Sequence, residues 1–97
     1  MWTGVVVIAD RDNRYRPTVF VTAPKDDQET ALSEASKKAA TYLRMKMLFA
    51  SVDDNTSDLL DAAATAERFG TATWLDNGYE WTVTTHVAES IDALRPL

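Results

Sequence analysis

The dipeptide Asn77-Gly78 constrains the fold of this chain more than any other short stretch. A two-residue hairpin turn needs positive φ at both central residues, which asparagine tolerates and glycine adopts without steric cost. The flanking segments, residues 72–76 and 79–83, are rich in the aromatic and β-branched types that strands prefer. The sequence therefore predicts a β-hairpin that turns at Asn77-Gly78.

The position of this turn also predicts the strand register. A two-residue turn pairs Trp74 with Trp81, Ala72 with Val83, and Asp76 with Tyr79. One face of the hairpin then carries large apolar side chains that need a cover. A three-residue loop beginning at Asp76 would instead place the two tryptophans on opposite faces and mix apolar with polar residues on both. We favour the two-residue turn, because a one-residue slip is costly when one face is buried.

Two further β-rich runs, residues 3–9 and 18–23, predict a second antiparallel hairpin near the N-terminus. The polar stretch between them forms a tight turn if Asp12-Asn13 lies at its centre, and a looser loop if all of it is irregular. Both faces of this hairpin are predicted to be apolar, with Val5, Val7 and Phe20 on one and Val6, Ile8, Val19 and Val21 on the other. Such a strand pair needs cover on both faces, from a central position in a sheet or from a partner.

The middle of the chain predicts two helices. Asp26 and Glu29 have the spacing of a capping box, and helical periodicity continues to about Phe49 or Ala50. A second helix is predicted over residues 57–69, because Gly70 follows where a left-handed residue commonly ends a helix. The order ββααββ predicts one α+β domain over residues 1–97, a mainly antiparallel four-stranded sheet with two helices packed on one face.

Composition and charge narrow the classes of function. The chain has no cysteine, which excludes disulfides and cysteine-ligated metals and fits a reducing cytoplasm. Residues 1–9 are apolar but few and lack a basic start, so we expect a strand rather than a signal peptide or membrane span. The net charge of -5 is uneven, since residues 1–49 carry eight basic and six acidic side chains and residues 50–97 carry two and nine. This asymmetry favours an electrostatically steered contact with a basic partner, although an acidic surface also serves solubility alone.

Residue types that carry chemistry are sparse. His86 is the only histidine, and it lies among threonines on a predicted strand with no serine motif near it. The run of residues 53–58 lacks the ligand spacing, central glycine and closing glutamate of a calcium loop, so helix capping explains it better than a metal ion. No glycine-rich phosphate loop is present. We therefore predict no enzymatic activity, no cofactor and no metal.

The acidic residues near the second helix and the hairpin tip are the strongest candidates for a binding site. If they converge, their carboxylates imitate a phosphate backbone and occupy a basic nucleic-acid groove on a partner protein. The predicted contact residues are Asp53, Asp54, Asp58, Asp61, Asp76 and Glu80. In its size, its acidity and its lack of a catalytic set, the chain resembles small acidic inhibitor proteins encoded by phages and mobile elements, including anti-CRISPR proteins. The resemblance implies a non-enzymatic inhibitor or adaptor that acts by protein binding.

Two alternatives remain open from the sequence. The first is a homodimer that uses the apolar face of the N-terminal hairpin, because an exposed apolar patch commonly marks an interface. The second is nucleic-acid binding through Arg11, Arg14 and Arg16 with Tyr15, since arginine and aromatic side chains bind phosphates and stack on bases. The neighbouring aspartates and the acidic second half of the chain oppose phosphate binding, so the sequence favours protein binding over direct nucleic-acid binding.

Overall fold

Four strands and two helices make up the described part of the chain. The computed structural model describes residues 1–49, 56–76 and 78–89. Its elements are β1 (Trp2–Asp10), β2 (Thr18–Val21), α1 (Gln28–Phe49), α2 (Thr56–Phe69), β3 (Thr71–Asp76) and β4 (Tyr79–Glu89). The strands form one antiparallel sheet in the order β2-β1-β4-β3. Helix α1 packs on β1 and β4, and α2 packs on β3 and α1. The predicted α+β fold is confirmed.

The C-terminal hairpin has the predicted register. Trp74 lies opposite Trp81, Ala72 opposite Val83, and Asp76 opposite Tyr79. Gly78 has a φ of +80°, as a tight turn at this position requires. The side chains of Ala72, Trp74 and Val83 are buried beneath the helices. The aromatic face of this hairpin therefore supplies one wall of the core.

The N-terminal hairpin differs from the prediction in its register. Val6 lies opposite Phe20, and Val7 lies opposite Val19. Phe20 therefore shares the helix side of the sheet with Val6 and Ile8, and the predicted grouping of these faces was wrong. The register of two strands depends on how the intervening loop closes. Residues 11–17 form a loop that is irregular after an initial turn, in which the N–H of Asn13 donates to the carbonyl of Asp10 at 3.0 Å. The side of the sheet opposite the two helices, called the open face below, carries the valines Val5, Val7, Val19 and Val21.

Helix α1 approaches β1 closely because the residues of both elements have small side chains, or none, where they meet. Ala31 and Ala35 on the helix are fully buried. A Cβ atom placed on Gly4 would overlap the carbonyl oxygen of Ala31 and lie 2.9 Å from the Cβ of Ala35. Only glycine therefore fits at this position of β1.

Hydrogen bonds mark the start of α1 and the end of α2. The side chain of Asp27 accepts a hydrogen bond from the N–H of Thr30 at 2.7 Å, so Asp27 is the N-cap of α1 and the predicted cap at Asp26 was one residue too early. This backbone hydrogen bond from Thr30 holds the pKa of Asp27 below its ordinary value. Helix α2 ends at Phe69, and the N–H of Gly70 donates to the carbonyl of Ala66 at 2.8 Å. Neither helix, over its described residues, is long and apolar enough to cross a bilayer.

Candidate interaction surface

Three of the predicted acidic residues converge on one cleft at the β3 edge of the sheet. Asp58 and Asp61 are exposed on the first turns of α2, and Glu80 extends from β4. Together with Thr73 and Leu75 of β3 they line a cleft of 490 Å³. We call it the acidic cleft. Carboxylates that lie 19 and 22 positions apart in sequence, on a helix and on a strand, thus contribute to one surface.

Asp76, the other predicted acidic residue that the structure describes, does not line this cleft. Asp53 and Asp54 lie outside the described part of the chain. Asp76 lies opposite Tyr79 in the register, whereas Glu80 lies opposite Leu75, so the two acids project from opposite sides of the hairpin. The carboxylate of Asp76 lies 3.7 Å from the Nζ of Lys46, on the helix side. The predicted convergence therefore applies to three residues and excludes Asp76.

The strand that borders the acidic cleft is an edge strand. The carbonyl oxygen of Glu80 accepts a hydrogen bond from the N–H of Arg11 at 2.9 Å, so the main chain of Glu80 is directed toward β1. The main-chain hydrogen-bonding groups of successive residues point to alternate sides of an antiparallel strand. Those of Tyr79 and Trp81 therefore point toward β3, where they pair with Asp76 and Trp74. The main-chain groups of Thr73 and Leu75 consequently point away from the sheet. The acidic cleft combines carboxylates with main-chain donors and acceptors of the kind that pair with an added strand.

The charges of the cleft differ in how far they are neutralised. Glu80 accepts a hydrogen bond from the Nη1 of Arg11 at 2.7 Å, and this bond raises the pKa of Arg11. Among the described residues, no basic side chain lies within 4 Å of the carboxylates of Asp58 and Asp61. These two aspartates are therefore the carboxylates best placed to meet a basic partner.

Beneath the acidic cleft lies Trp74, which is 4% exposed. Its indole Nε1 has no hydrogen-bond partner among the described residues. A buried donor without an acceptor costs about 1–3 kcal/mol, which is unusual for a core position. The wall of the cleft therefore contains both apolar surface and an unsatisfied polar group.

The loop between β1 and β2 folds back over the tip of the C-terminal hairpin. Arg14 donates to the buried carboxylate of Asp10 through Nε at 2.9 Å and Nη2 at 3.2 Å, and its guanidinium lies 3.4 Å from the ring centroid of Tyr79. The ring of Tyr15 stacks on Trp81, with centroids 5.9 Å apart and planes 10° from parallel. The contacts with Tyr79 and Trp81 were not predicted from the sequence, because they join residues more than 60 positions apart.

Those contacts bear directly on nucleic-acid binding by this loop. Arg14 is bonded to Asp10, and Arg11 is bonded to Glu80. Arg14 holds the pKa of Asp10 below its ordinary value through its side-chain hydrogen bonds, against the opposing effect of burial. Two of the three candidate arginines are thus already paired with carboxylates inside the molecule, and one aromatic face of Tyr15 is covered.

A second cleft, not predicted from the sequence, lies at the opposite edge of the sheet between β2 and α1. It has a volume of 710 Å³. Its apolar part includes Phe20, Tyr42 and Met45, and its cations are Lys25, Lys37 and Lys38. We call it the lysine cleft. The helical spacing of its α1 residues is visible in the sequence, but the juxtaposition with β2 depends on the sheet order.

His86 offers no catalytic arrangement in the described structure. It is exposed on the open face, and its Nε2 lies 3.0 Å from the Oγ1 of Thr84. Across residues 1–49, 56–76 and 78–89, no three histidine or acidic side chains are grouped so that they could hold a metal ion. Comparison with protein-family models, curated proteins and solved structures found no match.

Proposed function

We propose that this protein is a non-enzymatic protein-binding inhibitor or adaptor whose acidic cleft engages a basic groove on its partner. The observation that carries the proposal is the convergence of Asp58, Asp61 and Glu80 on one cleft at the β3 edge of the described sheet. A basic groove that normally holds nucleic acid presents the complementary charge. Occupying that groove blocks the partner, in the manner of the phage-encoded inhibitors that the chain resembles.

Electrostatics supplies the long-range part of such recognition. Like-signed charges around a cleft raise the association rate of an oppositely charged partner, and salt weakens this steering over a Debye length of about 8 Å at physiological ionic strength. Asp58 and Asp61, which have no basic partner among the described residues, contribute most, because Glu80 is already bonded to Arg11. The apolar and main-chain groups of Thr73, Trp74 and Leu75 supply the shorter-range contacts that distinguish one basic partner from another.

The experiment compares charge removal inside and outside the cleft. The cleft variant carries Asp58→Asn and Asp61→Asn, and the control variant carries Asp26→Asn and Glu89→Gln, two exposed acids at other positions. Each removes the same formal charge. A partner captured from source or host cells is purified, and its affinity for the native protein and both variants is measured at low and physiological salt. We expect the cleft variant to weaken binding by about tenfold and to flatten the salt dependence, with little change in the control.

Equal losses in the two variants would show that only net charge matters and would contradict a specific acidic cleft. A partner that binds with no salt dependence would contradict it as well. Thermal unfolding of both variants checks that each remains folded, because the substituted residues lie in or near helices and strands.

The open face supports a second candidate, a homodimer. Val19 and Val21 are 56% and 57% exposed and lie beside Val5 and Val7 of the neighbouring strand. A second copy of the open face would bury these valines symmetrically. Sedimentation equilibrium of the native protein distinguishes the candidates, since a monomer at all accessible concentrations contradicts the homodimer and leaves the acidic cleft untouched.

A further inference from the structure

The lysine cleft lies between α1 and β2, the strand at the other edge of the described sheet. The α1 residues that line it recur at helical spacing, and they include Lys37, Lys38, Tyr42 and Met45. Phe20 and Tyr42 pack against each other, with ring centroids 5.2 Å apart and planes inclined by 51°. Met45 is 53% exposed next to them. The floor of the cleft is thus apolar, and part of it is in contact with solvent.

The cations of the cleft have no anionic partner within the described structure. No carboxylate of the described residues lies within 4 Å of the Nζ atoms of Lys25, Lys37 and Lys38. Glu34 is the single acidic residue that lines the cleft. In a chain with a net charge of -5, three unpaired lysines around an apolar floor form a local positive region. Their charge is complementary to an anionic ligand.

The strand edge beside the cleft offers main-chain hydrogen bonds. The N–H of Thr22 donates to the carbonyl of Gly4 at 2.9 Å, so the main chain of Thr22 is directed toward β1. By alternation, Phe20 also bonds toward β1, and the main-chain groups of Val19 and Val21 point outward. An added strand would bond to these groups and place alternate side chains over the cleft.

We propose that the lysine cleft binds an extended acidic segment of a partner protein as a fifth strand beside β2. Apolar side chains of the segment contact Phe20, Tyr42 and Met45, and its carboxylates meet the three lysines. This site is separate from the acidic cleft, because it lies at the other edge of the sheet and selects the opposite charge. The protein then has two recognition edges of opposite sign, which suits an adaptor that joins two partners.

A peptide segment matches the cleft better than other anions. Nucleic acids and fatty acids have no main-chain amides to pair with the outward groups of Val19 and Val21. Base stacking needs accessible aromatic faces, whereas Phe20 and Tyr42 are packed against each other. The glutamate at the rim also opposes a phosphate backbone of continuous negative charge. These three features favour a polypeptide whose charges are interrupted by apolar residues.

The test uses a short synthetic peptide in which every second residue, on one face of the strand, is in turn valine or glutamate, with threonine between them. The same peptide carrying glutamine for glutamate is its control. Binding is followed by amide chemical shifts of the full-length protein. We expect shifts at Val19, Val21, Lys37 and Lys38, with the glutamine peptide binding more weakly. The variant Lys37→Glu with Lys38→Glu should reduce affinity by about tenfold. The control variant Arg16→Glu with Arg68→Glu makes the same change in net charge at exposed sites outside the cleft and should reduce it far less.

Several results would overturn the proposal. Equal losses of peptide affinity in the two charge-reversal variants would show that only the net charge of the protein matters. Amide chemical-shift changes confined to elements other than β2 and α1 would place the peptide outside the lysine cleft. Stronger binding of decanoate or oligothymidylate than of the glutamate peptide would assign the cleft to a lipid or a nucleic acid. Self-association that is lost on Asp58→Asn with Asp61→Asn would identify the occupant as the acidic edge of a second copy. The peptide test does not use the acidic cleft, so its failure leaves the proposed function standing, and the reverse also holds.

Discussion

The two hairpins of this sheet are held in register by different physical means. The strands β3 and β4 are joined at Asn77-Gly78, and the turn chemistry of these residues predicts the observed pairing of Trp74 with Trp81. The strands β1 and β2 are joined by residues 11–17, whose conformation depends on contacts with the tip of the other hairpin. Arg11 bonds to Glu80, and Tyr15 stacks on Trp81. One hairpin is specified locally, and it then serves as the surface on which the loop of the other is ordered.

The same contrast applies to the two clefts. The acidic cleft borders the locally specified hairpin, and part of its residue set was predicted from the sequence. The lysine cleft borders β2, whose register the sequence did not predict correctly. A site is therefore more predictable when the strand beside it is positioned by its own turn than when distant contacts position it.

The largest expected loss of stability follows substitution of Gly4 in β1, at the base of the N-terminal hairpin. Gly4→Ala should lower the free energy of unfolding by about 3 kcal/mol, because overpacking a tight contact typically costs that much and the helix backbone cannot move aside easily. The crowding atoms are the carbonyl oxygen of Ala31 and the Cβ of Ala35. Urea unfolding measures the change, with the slope of the transition checking that two-state behaviour is retained. An unchanged free energy would contradict the close approach of α1 to β1.

The next effect concerns the loop that follows β1. Asp10→Asn removes the charge that binds Arg14. The melting temperature at neutral pH should therefore fall, by less than for Gly4→Ala and by more than for Gly78→Ala. The pKa of Asp10 is lowered in the folded protein, chiefly by the side-chain hydrogen bonds from Arg14. Its contribution to stability is therefore complete above the unfolded pKa of about 3.9 and is lost as the pH falls through the lower folded pKa.

The difference in melting temperature between native protein and Asp10→Asn should accordingly be largest at neutral pH and shrink in acid below about pH 4. Asp12→Asn is the matched control, because the side chain of Asp12 is 68% exposed and lies 3.5 Å from the same arginine. A difference that stayed constant with pH would show that the charge of Asp10 does not order the loop.

The smallest effect is expected at the turn of the C-terminal hairpin. Gly78→Ala should lower the free energy of unfolding by about 1–2 kcal/mol, the cost of holding a residue with a Cβ in the left-handed region. The φ of Gly78 is +80°, and apart from its chain neighbours no atom of the described residues lies within 4 Å of the added carbon, so the substitution measures backbone strain. Gly78→Asn should cost less, because asparagine tolerates this conformation. Equal losses for alanine and asparagine would mean that the turn does not impose positive φ.

Predictions from the sequence succeeded where neighbouring residues carry the information. The register at Asn77-Gly78, the end of α2 before Gly70 and the order of the six elements all follow from turn chemistry and periodicity. The start of α1 was misplaced by one residue, because Asp26 and Asp27 are chemically equivalent caps and only the geometry selects between them. Of the acidic contact residues, Asp58, Asp61 and Glu80 could be found as charged surface, but their meeting at one cleft was a conditional expectation.

Local chemistry thus accounts for the helices, the C-terminal hairpin and the α+β class of this chain, since each depends on residues a few positions apart. Tertiary packing alone decided which charges meet. It joined Arg11 to Glu80, and gathered acids at one edge of the sheet and lysines at the other. The reason is that these contacts depend on strand order and loop closure, which bring together residues that no local pattern relates.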